Sequence, residues 1–187
     1  MVMGPIWPCW SGQATGEVED MNGHTRDELL AEAIRLRRQG NPEEARSRLL
    51  NLAAEHPGDA EVAYQTAWVH DVLGLEAEAV PFYEGSLHGP GLLSEEDRRG
   101  ALLGLGSTYR VLGRYTQAVG TLRQGAAEFP DDGALQTFLA MALFNTDQHH
   151  EAMRILLMLL ATTSEDPHLR QYRRAIEAYA QNLNATA

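Results

Sequence analysis

Four alanines set the frame of this chain. Ala45, Ala79, Ala118 and Ala152 each close a six-residue stretch that opens on a turn residue: Gly40-Asn-Pro-Glu-Glu-Ala45, Gly74-Leu-Glu-Ala-Glu-Ala79, Gly113-Arg-Tyr-Thr-Gln-Ala118 and Asp147-Gln-His-His-Glu-Ala152. The alanines are 34, 39 and 34 residues apart, the spacing of a 34-residue repeat with one five-residue insertion. Twelve residues before each alanine stands another small residue: Ala33, Ala67, Gly106 and Ala140. Four residues after it, one helical turn along the same face, stand Leu49, Tyr83, Leu122 and Leu156. If each unit is a helix, a tight turn and a second helix, the two small columns face each other. Small side chains there let antiparallel backbones pack within the usual spacing of about 8–10 Å. The pattern predicts an all-α chain.

These residues resemble the tetratricopeptide repeat, whose pattern is W-x2-L-G-x2-Y, then A-x3-F, then P. The third unit carries Leu102, Leu105, Gly106, Tyr109, Gly113, Tyr115, Ala118, Leu122 and Pro130. The first offers Leu29, Ala33, Leu36, Gly40, Ala45, Leu49 and Pro57, with Glu32 where leucine is usual. The second keeps Ala63, Ala67, Gly74, Ala79 and Tyr83, with His70 at an aromatic position and Pro81 inside its second helix. The fourth keeps Leu139, Ala140, Leu143, Ala152 and Leu156, with Asp147 in place of the turn glycine. The resemblance implies a right-handed superhelical solenoid. Repeats are expected at about 26–59, 60–93, 99–132 and 133–166, within one domain spanning 25–187.

Local signals agree. Thr25 to Glu28 has the capping-box pattern, and Asn41-Pro42-Glu43-Glu44 reads as a cap, a first-turn proline and first-turn acids. Ser94-Glu95-Glu96-Asp97 and Pro130-Asp131-Asp132 mark two further starts. The insertion falls in the glycine- and proline-rich stretch from His88 to Leu93, and the helix after it is expected to begin near Ser94 and run long. Leu169, Tyr172, Ile176, Tyr179 and Leu183 form one apolar stripe, predicting a capping helix over about 167–184. Residues 1–24 read as a flexible tail. Pro5, Pro8 and Gly12 interrupt any leader-like apolar core there, so the expected location is cytoplasmic.

Charge and chemistry narrow the function. The net charge is −11, and all 15 basic residues are arginine, which hints at a high-GC bacterial genome. A globally acidic surface repels phosphate, so neither nucleic acid nor an anionic membrane is the expected partner. The most apolar run, Ile155 to Ala161, is far too short to span a bilayer. Cys9 stands alone, and the sequence holds no phosphate-binding glycine loop, no HExxH and no G-x-S-x-G. His149 and His150 are adjacent and point apart on a helix, and His70 reads as a packed histidine. No metal site, no cofactor and no enzymatic activity are expected.

The resemblance implies that the first helix of each unit lines a concave, partner-binding surface. The matching positions are Leu30, Ile34, Arg37 and Arg38; Tyr64, Gln65, Trp68 and Asp71; Leu103, Ser107 and Arg110; and Thr137, Phe138, Met141, Phe144 and Asn145. Some members clamp a partner's C-terminal carboxylate with lysine and asparagine. Here those positions hold Leu30, Ile34 and Tyr64, so that clamp is not supported. A mainly apolar lining suits a peptide or amphipathic helix of a protein partner, with Trp68, Tyr64, Phe138 and Phe144 as anchors. The expected function is a non-catalytic interaction module or scaffold. The alternative is a structural homo-oligomer whose groove is buried in a dimer or filled by Ile6, Trp7 and Trp10.

Overall fold

A computed structural model describes residues 25–184. The expectations placed on residues 1–24, including the tail, Cys9 and the fold-back of Ile6, Trp7 and Trp10, lie outside the described residues. Ten helices and no strand occur among those residues. They are α1 (Arg26–Arg38), α2 (Pro42–Glu55), α3 (Ala60–Val72), α4 (Glu76–His88), α5 (Glu95–Val111), α6 (Tyr115–Glu128), α7 (Gly133–Phe144), α8 (His149–Thr163), α9 (Pro167–Gln171) and α10 (Arg173–Gln181). α1 with α2, α3 with α4 and α7 with α8 form helix–turn–helix pairs, and a turn of the same kind at Gly113 joins α5 to α6, the all-α class that the repeat predicts.

The four turn residues explain the pairing. Gly40, Gly74 and Gly113 have φ of 83°, 70° and 72°, and Asp147 has 59°. Each takes the left-handed conformation that ends one helix and reverses the chain into the next. Glycine adopts it freely, and aspartate is among the few other residues that tolerate it. Caps start the helices. Thr25 and Glu28 form a complete capping box, while Asp59 and Asp132 accept the amide hydrogens of Val62 and Leu135 at 3.0 and 2.9 Å. Asn41 makes no side-chain cap bond, and Pro42 alone marks that start. α4 runs through Pro81 unbroken. The insertion is absorbed partly by the 89–94 loop and partly by α5, which has 17 residues where α3 has 13.

Residues 25–108 and 109–184 form two compact units, and the boundary falls inside α5. In the first, Leu30, Leu36, Leu49, Leu52, Val62 and Val69 make the core of α1, α2 and α3 around Ala33 and Ala45. Ala67 and Ala79, the next facing pair, are fully buried too. Arg26 fastens the starts of α1 and α3. Its guanidinium meets Asp27 and Asp59 at 2.7 Å and Glu61 at 2.8 Å. That cation and the Val62 amide draw the Asp59 pKa down, against the opposing effect of its burial. A depressed carboxylate contributes stability above its unfolded pKa and loses it as pH falls. Arg26→Gln, which strands three carboxylates, is therefore expected to cost about 2 kcal/mol at pH 7. Urea titrations at pH 7 and pH 3.5 should show that cost shrinking as the acids protonate.

In the second unit α7 packs between α6 and α8, and α10 packs on α8. Leu122, Leu135, Leu139 and Leu143 are buried there, with Ala140 and Ala152 close behind. The stripe read over residues 169–183 is carried on two segments, because the backbone turns out of helix at Tyr172 between α9 and α10. Arg173 Nε donates to Ala161 O at 2.7 Å, satisfying a carbonyl at the end of α8. Leu156 departs from its column. Leu49, Tyr83 and Leu122 are buried, but Leu156 is 39% exposed, beside exposed Met153 and Leu160 on the same helix.

Candidate functional site

The first unit holds a cavity of about 810 Å³, open to solvent on one side, between α1, α3 and the first turn of α5. Helical periodicity builds its walls. On α1, Asp27, Ala31, Ile34 and Arg38 recur at steps of four, three and four; on α3, Glu61, Tyr64 or Gln65, and Trp68 do the same. Ser94 to Asp97 close the third side, held by a local cap in which Ser94 Oγ accepts the Asp97 amide hydrogen at 3.0 Å. Seven of the groove positions inferred from sequence meet here: Leu30, Ile34, Arg37, Arg38, Tyr64, Gln65 and Trp68. Leu30 contributes little surface, since it is 1% exposed and belongs mainly to the core.

The cavity's aromatic wall is tightly arranged. Tyr64 and Trp68 lie with ring centroids 5.8 Å apart. The Arg37 guanidinium stacks 3.8 Å from the Trp68 ring centroid, and its Nη1 donates to Gln65 O at 3.4 Å. Arg37 thus serves as a buried support for Trp68 as well as a charge, which its place on the helix face did not reveal. Burial, followed by the charges of Asp97 and Glu96, raises the Tyr64 phenol pKa well above its ordinary value.

Two residues that the repeat columns did not single out decide how close α5 comes. A β-carbon on Gly100 would strike the Tyr64 hydroxyl, and one on Gly104 would overlap the Tyr83 phenol. The spacing of four between them was the available signal, since it puts both on one helix face. Their close approach brings Thr108 to Asp71. Tyr83 OH donates to Asp71 Oδ2 at 2.8 Å, and Thr108 Oγ1 lies 3.0 and 2.9 Å from the two carboxylate oxygens. Asp71 therefore sits in a buried hydrogen-bond network tying α3 to α4 and α5, and it does not line the cavity. Burial pushes its pKa up to about 6.

The remaining positions lie elsewhere. Leu103 and Ser107, half-buried on α5, are outside this cavity. In the second unit Arg110 Nε donates to Asn145 Oδ1 at 2.8 Å, so these two spend polar groups on each other. Thr137, Phe138 and Met141 are half-buried. Phe144 is 63% exposed and tilts against the His149 ring at 4.9 Å. His70 is a packed histidine: Nδ1 donates to Thr66 O at 2.7 Å, Nε2 accepts from Arg46 Nε at 2.9 Å, and the ring stacks on Phe82. Among the described residues no helix is long and apolar enough to cross a membrane.

Several solved structures share this architecture. MamA 41-end from Desulfovibrio magneticus RS-1 is 20% identical, with 83% of this chain and 89% of that chain covered and a TM-score of 0.66. A MamA RS-1 ArsTM double mutant is 18% identical over 86% of this chain and 97% of that one, with a TM-score of 0.60. A chain of the APC/C hetero-tetramer Cut9-Hcn1 is 18% identical, with a TM-score of 0.67; 83% of this chain aligns with 29% of that one. At such identities the likeness is one of fold, the helical-repeat solenoid. No curated protein matches the chain. The family model described as Tetratrico peptide repeat matches residues 60–183, and the pair α1–α2 repeats the same turn, alanine and leucine columns ahead of that span. With its helix pairs, left-handed turns and buried small columns, the chain belongs to the tetratricopeptide repeat family.

Proposed function

We propose that this protein is a non-catalytic interaction scaffold whose first unit receives a peptide or helix of a partner protein in the α1–α3–α5 cavity. The observation that carries the reading is an aromatic wall, Tyr64 and Trp68, facing an open space of about 810 Å³ with Ile34 across from it. Aromatic side chains supply large apolar area at little entropic cost and dominate interface energetics. The family's general role in binding proteins supports the reading. So does the likeness to a chain of the Cut9-Hcn1 hetero-tetramer, an assembly of two kinds of chain. A pull-down from the native organism, wild type against Trp68→Ala, tests it. Loss of an anchor of this kind costs on the order of 2–4 kcal/mol, enough to empty the bait of its specific partner. Recovery of the same proteins on both baits would overturn the reading.

A second reading is favoured by the second unit. Phe144, Met153, Leu156, Leu160, Tyr172 and Tyr179 are all exposed apolar or aromatic side chains. Such surface suits a homo-oligomer. Light scattering decides it: a stable dimer that dissociates in Leu156→Asp would place self-association beside partner binding, and a monomer would remove it.

A further inference from the structure

Charge is distributed unevenly along the cavity of the first unit. Asp27 and Glu28 open α1, Glu61 opens α3, and Glu95, Glu96 and Asp97 open α5, so six carboxylates gather where three helices begin. Arg35, Arg37 and Arg38 lie at the far end of α1. Contacts fix this polarity. Arg26 joins the start of α1 to Asp59 and Glu61, while Arg37 reaches Gln65 and Trp68 further along α3. The helix dipole accounts for acids at each helix start, but not for three starts converging on one space. Part of the acid is internally matched, since Arg26 holds Asp27 and Glu61, and Arg99 lies 3.4 Å from Glu95.

What is left unmatched at that end accepts hydrogen bonds. Glu96 and Asp97 have no ion-pair partner within 4 Å among the described residues. Gln65, next to Tyr64 on α3, lines the cavity at 5% exposure, and its Oε1 has no hydrogen-bond partner. A buried acceptor of this kind is rare and is satisfied only by a donor. Carboxylates, an orphan amide oxygen and an aromatic wall together describe the surroundings of a guanidinium or an ammonium. Arg37, already on Trp68, keeps a second cation away from that end.

We propose that the segment received here is basic, with an arginine or lysine seated beside Tyr64, Gln65 and Glu96 and an apolar neighbour against Ile34 and Trp68. The proposal rests on the interaction-scaffold reading of the same cavity. Its test is selection of random dodecapeptides displayed on phage against the full chain, with Trp68→Ala and Ile34→Asp chains as counter-selection. Circular dichroism checks that each variant is folded. Winning peptides are then synthesised with a fluorophore and titrated by anisotropy.

Winners are expected to carry arginine or lysine. Glu96→Gln/Asp97→Asn should weaken them about fivefold to tenfold, and Arg38→Gln should tighten them about twofold, a change of opposite sign that a loss of folding cannot produce. Raising salt from about 50 to 500 mM should weaken wild-type binding in the same sense. Winners that depend on Trp68 and Ile34 but are acidic or uncharged would overturn the basic partner while leaving the scaffold reading intact. Basic winners indifferent to the loss of Glu96 and Asp97 would also overturn it. Enrichment no greater on wild type than on the counter-selection chains would overturn both.

Discussion

Gly104→Ala is expected to destabilise the first unit by about 2 kcal/mol, although alanine is the better helix former. In an unobstructed helix the exchange gains about 1 kcal/mol. Here the new methyl would overlap the phenol oxygen of Tyr83 and stand 2.5 Å from its Cζ and 2.8 Å from its Cε1. Tyr83 has nowhere to go. It is 2% exposed and its hydroxyl is engaged by Asp71 at 2.8 Å. Overpacking of this kind costs about 1–3 kcal/mol, and losing a buried hydrogen bond adds a comparable amount, so the steric terms win. A fall in melting temperature of roughly 4–8 °C should follow for a chain of this size. Gly120→Ala is the internal control, because that glycine lies mid-α6 with nothing within 4 Å. It should stabilise by about 0.5–1 kcal/mol. Combining Gly104→Ala with Tyr83→Leu should remove most of the penalty; equal penalties in both backgrounds would sink the explanation.

Asp71→Asn is expected to be more stable than wild type at pH 7 and no more stable at pH 4. The carboxyl's pKa rises from 3.8 unfolded to about 6 folded, chiefly because burial penalises its charge. A raised acid makes the folded state bind protons more readily, so stability falls as pH climbs from about 4 to about 6 and stays low above that. The full difference is on the order of 3 kcal/mol. The geometry shows why asparagine evades it. A neutral group at this position accepts from Tyr83 with one atom and donates to Thr108 Oγ1 with the other. Thr108 can then give its own hydrogen to Gly104 O, 2.8 Å away. Asparagine reproduces that pattern at every pH. Subtracting the two stability-against-pH curves cancels other groups, such as Asp59, whose depressed pKa acts in the opposite direction. A flat difference from pH 4 to 7 would count against the buried-charge account.

These two outcomes concern residues that the repeat pattern handled differently. Tyr83 was legible as a column member, because a buried position recurring four residues after each alanine follows from helical periodicity alone. Gly104 was legible only as sharing a helix face with Gly100, since that spacing does not tell a glycine that admits a neighbouring side chain from one that merely weakens its own helix. The same divide runs through the cavity. Ile34, Arg38, Tyr64 and Trp68, which line it, are positions that the family resemblance implies for a groove on the first helix of each unit. Leu30 and Asp71 lie on nearly the same face, yet one is absorbed into the core and the other into a hydrogen-bond network. Their fate depends on α2, α4 and α5, which no count along one helix includes. Leu156 makes the converse point, exposed although its column mates are buried.

The sequence by itself determined the helix pairs, their reversals at Gly40, Gly74, Gly113 and Asp147, and the small columns that let the pairs close. Each of these follows from rules acting within a few residues: allowed φ, capping, and a period of 3.6. Only the tertiary structure decided which side chains face a cavity and which become core. It also decided that acids placed for three separate helix starts share one space, and that Gln65 is buried there with an unsatisfied oxygen. Burial and long-range charge are sums over neighbours distant in the chain, and those neighbours are set by the distance at which whole helices come to rest.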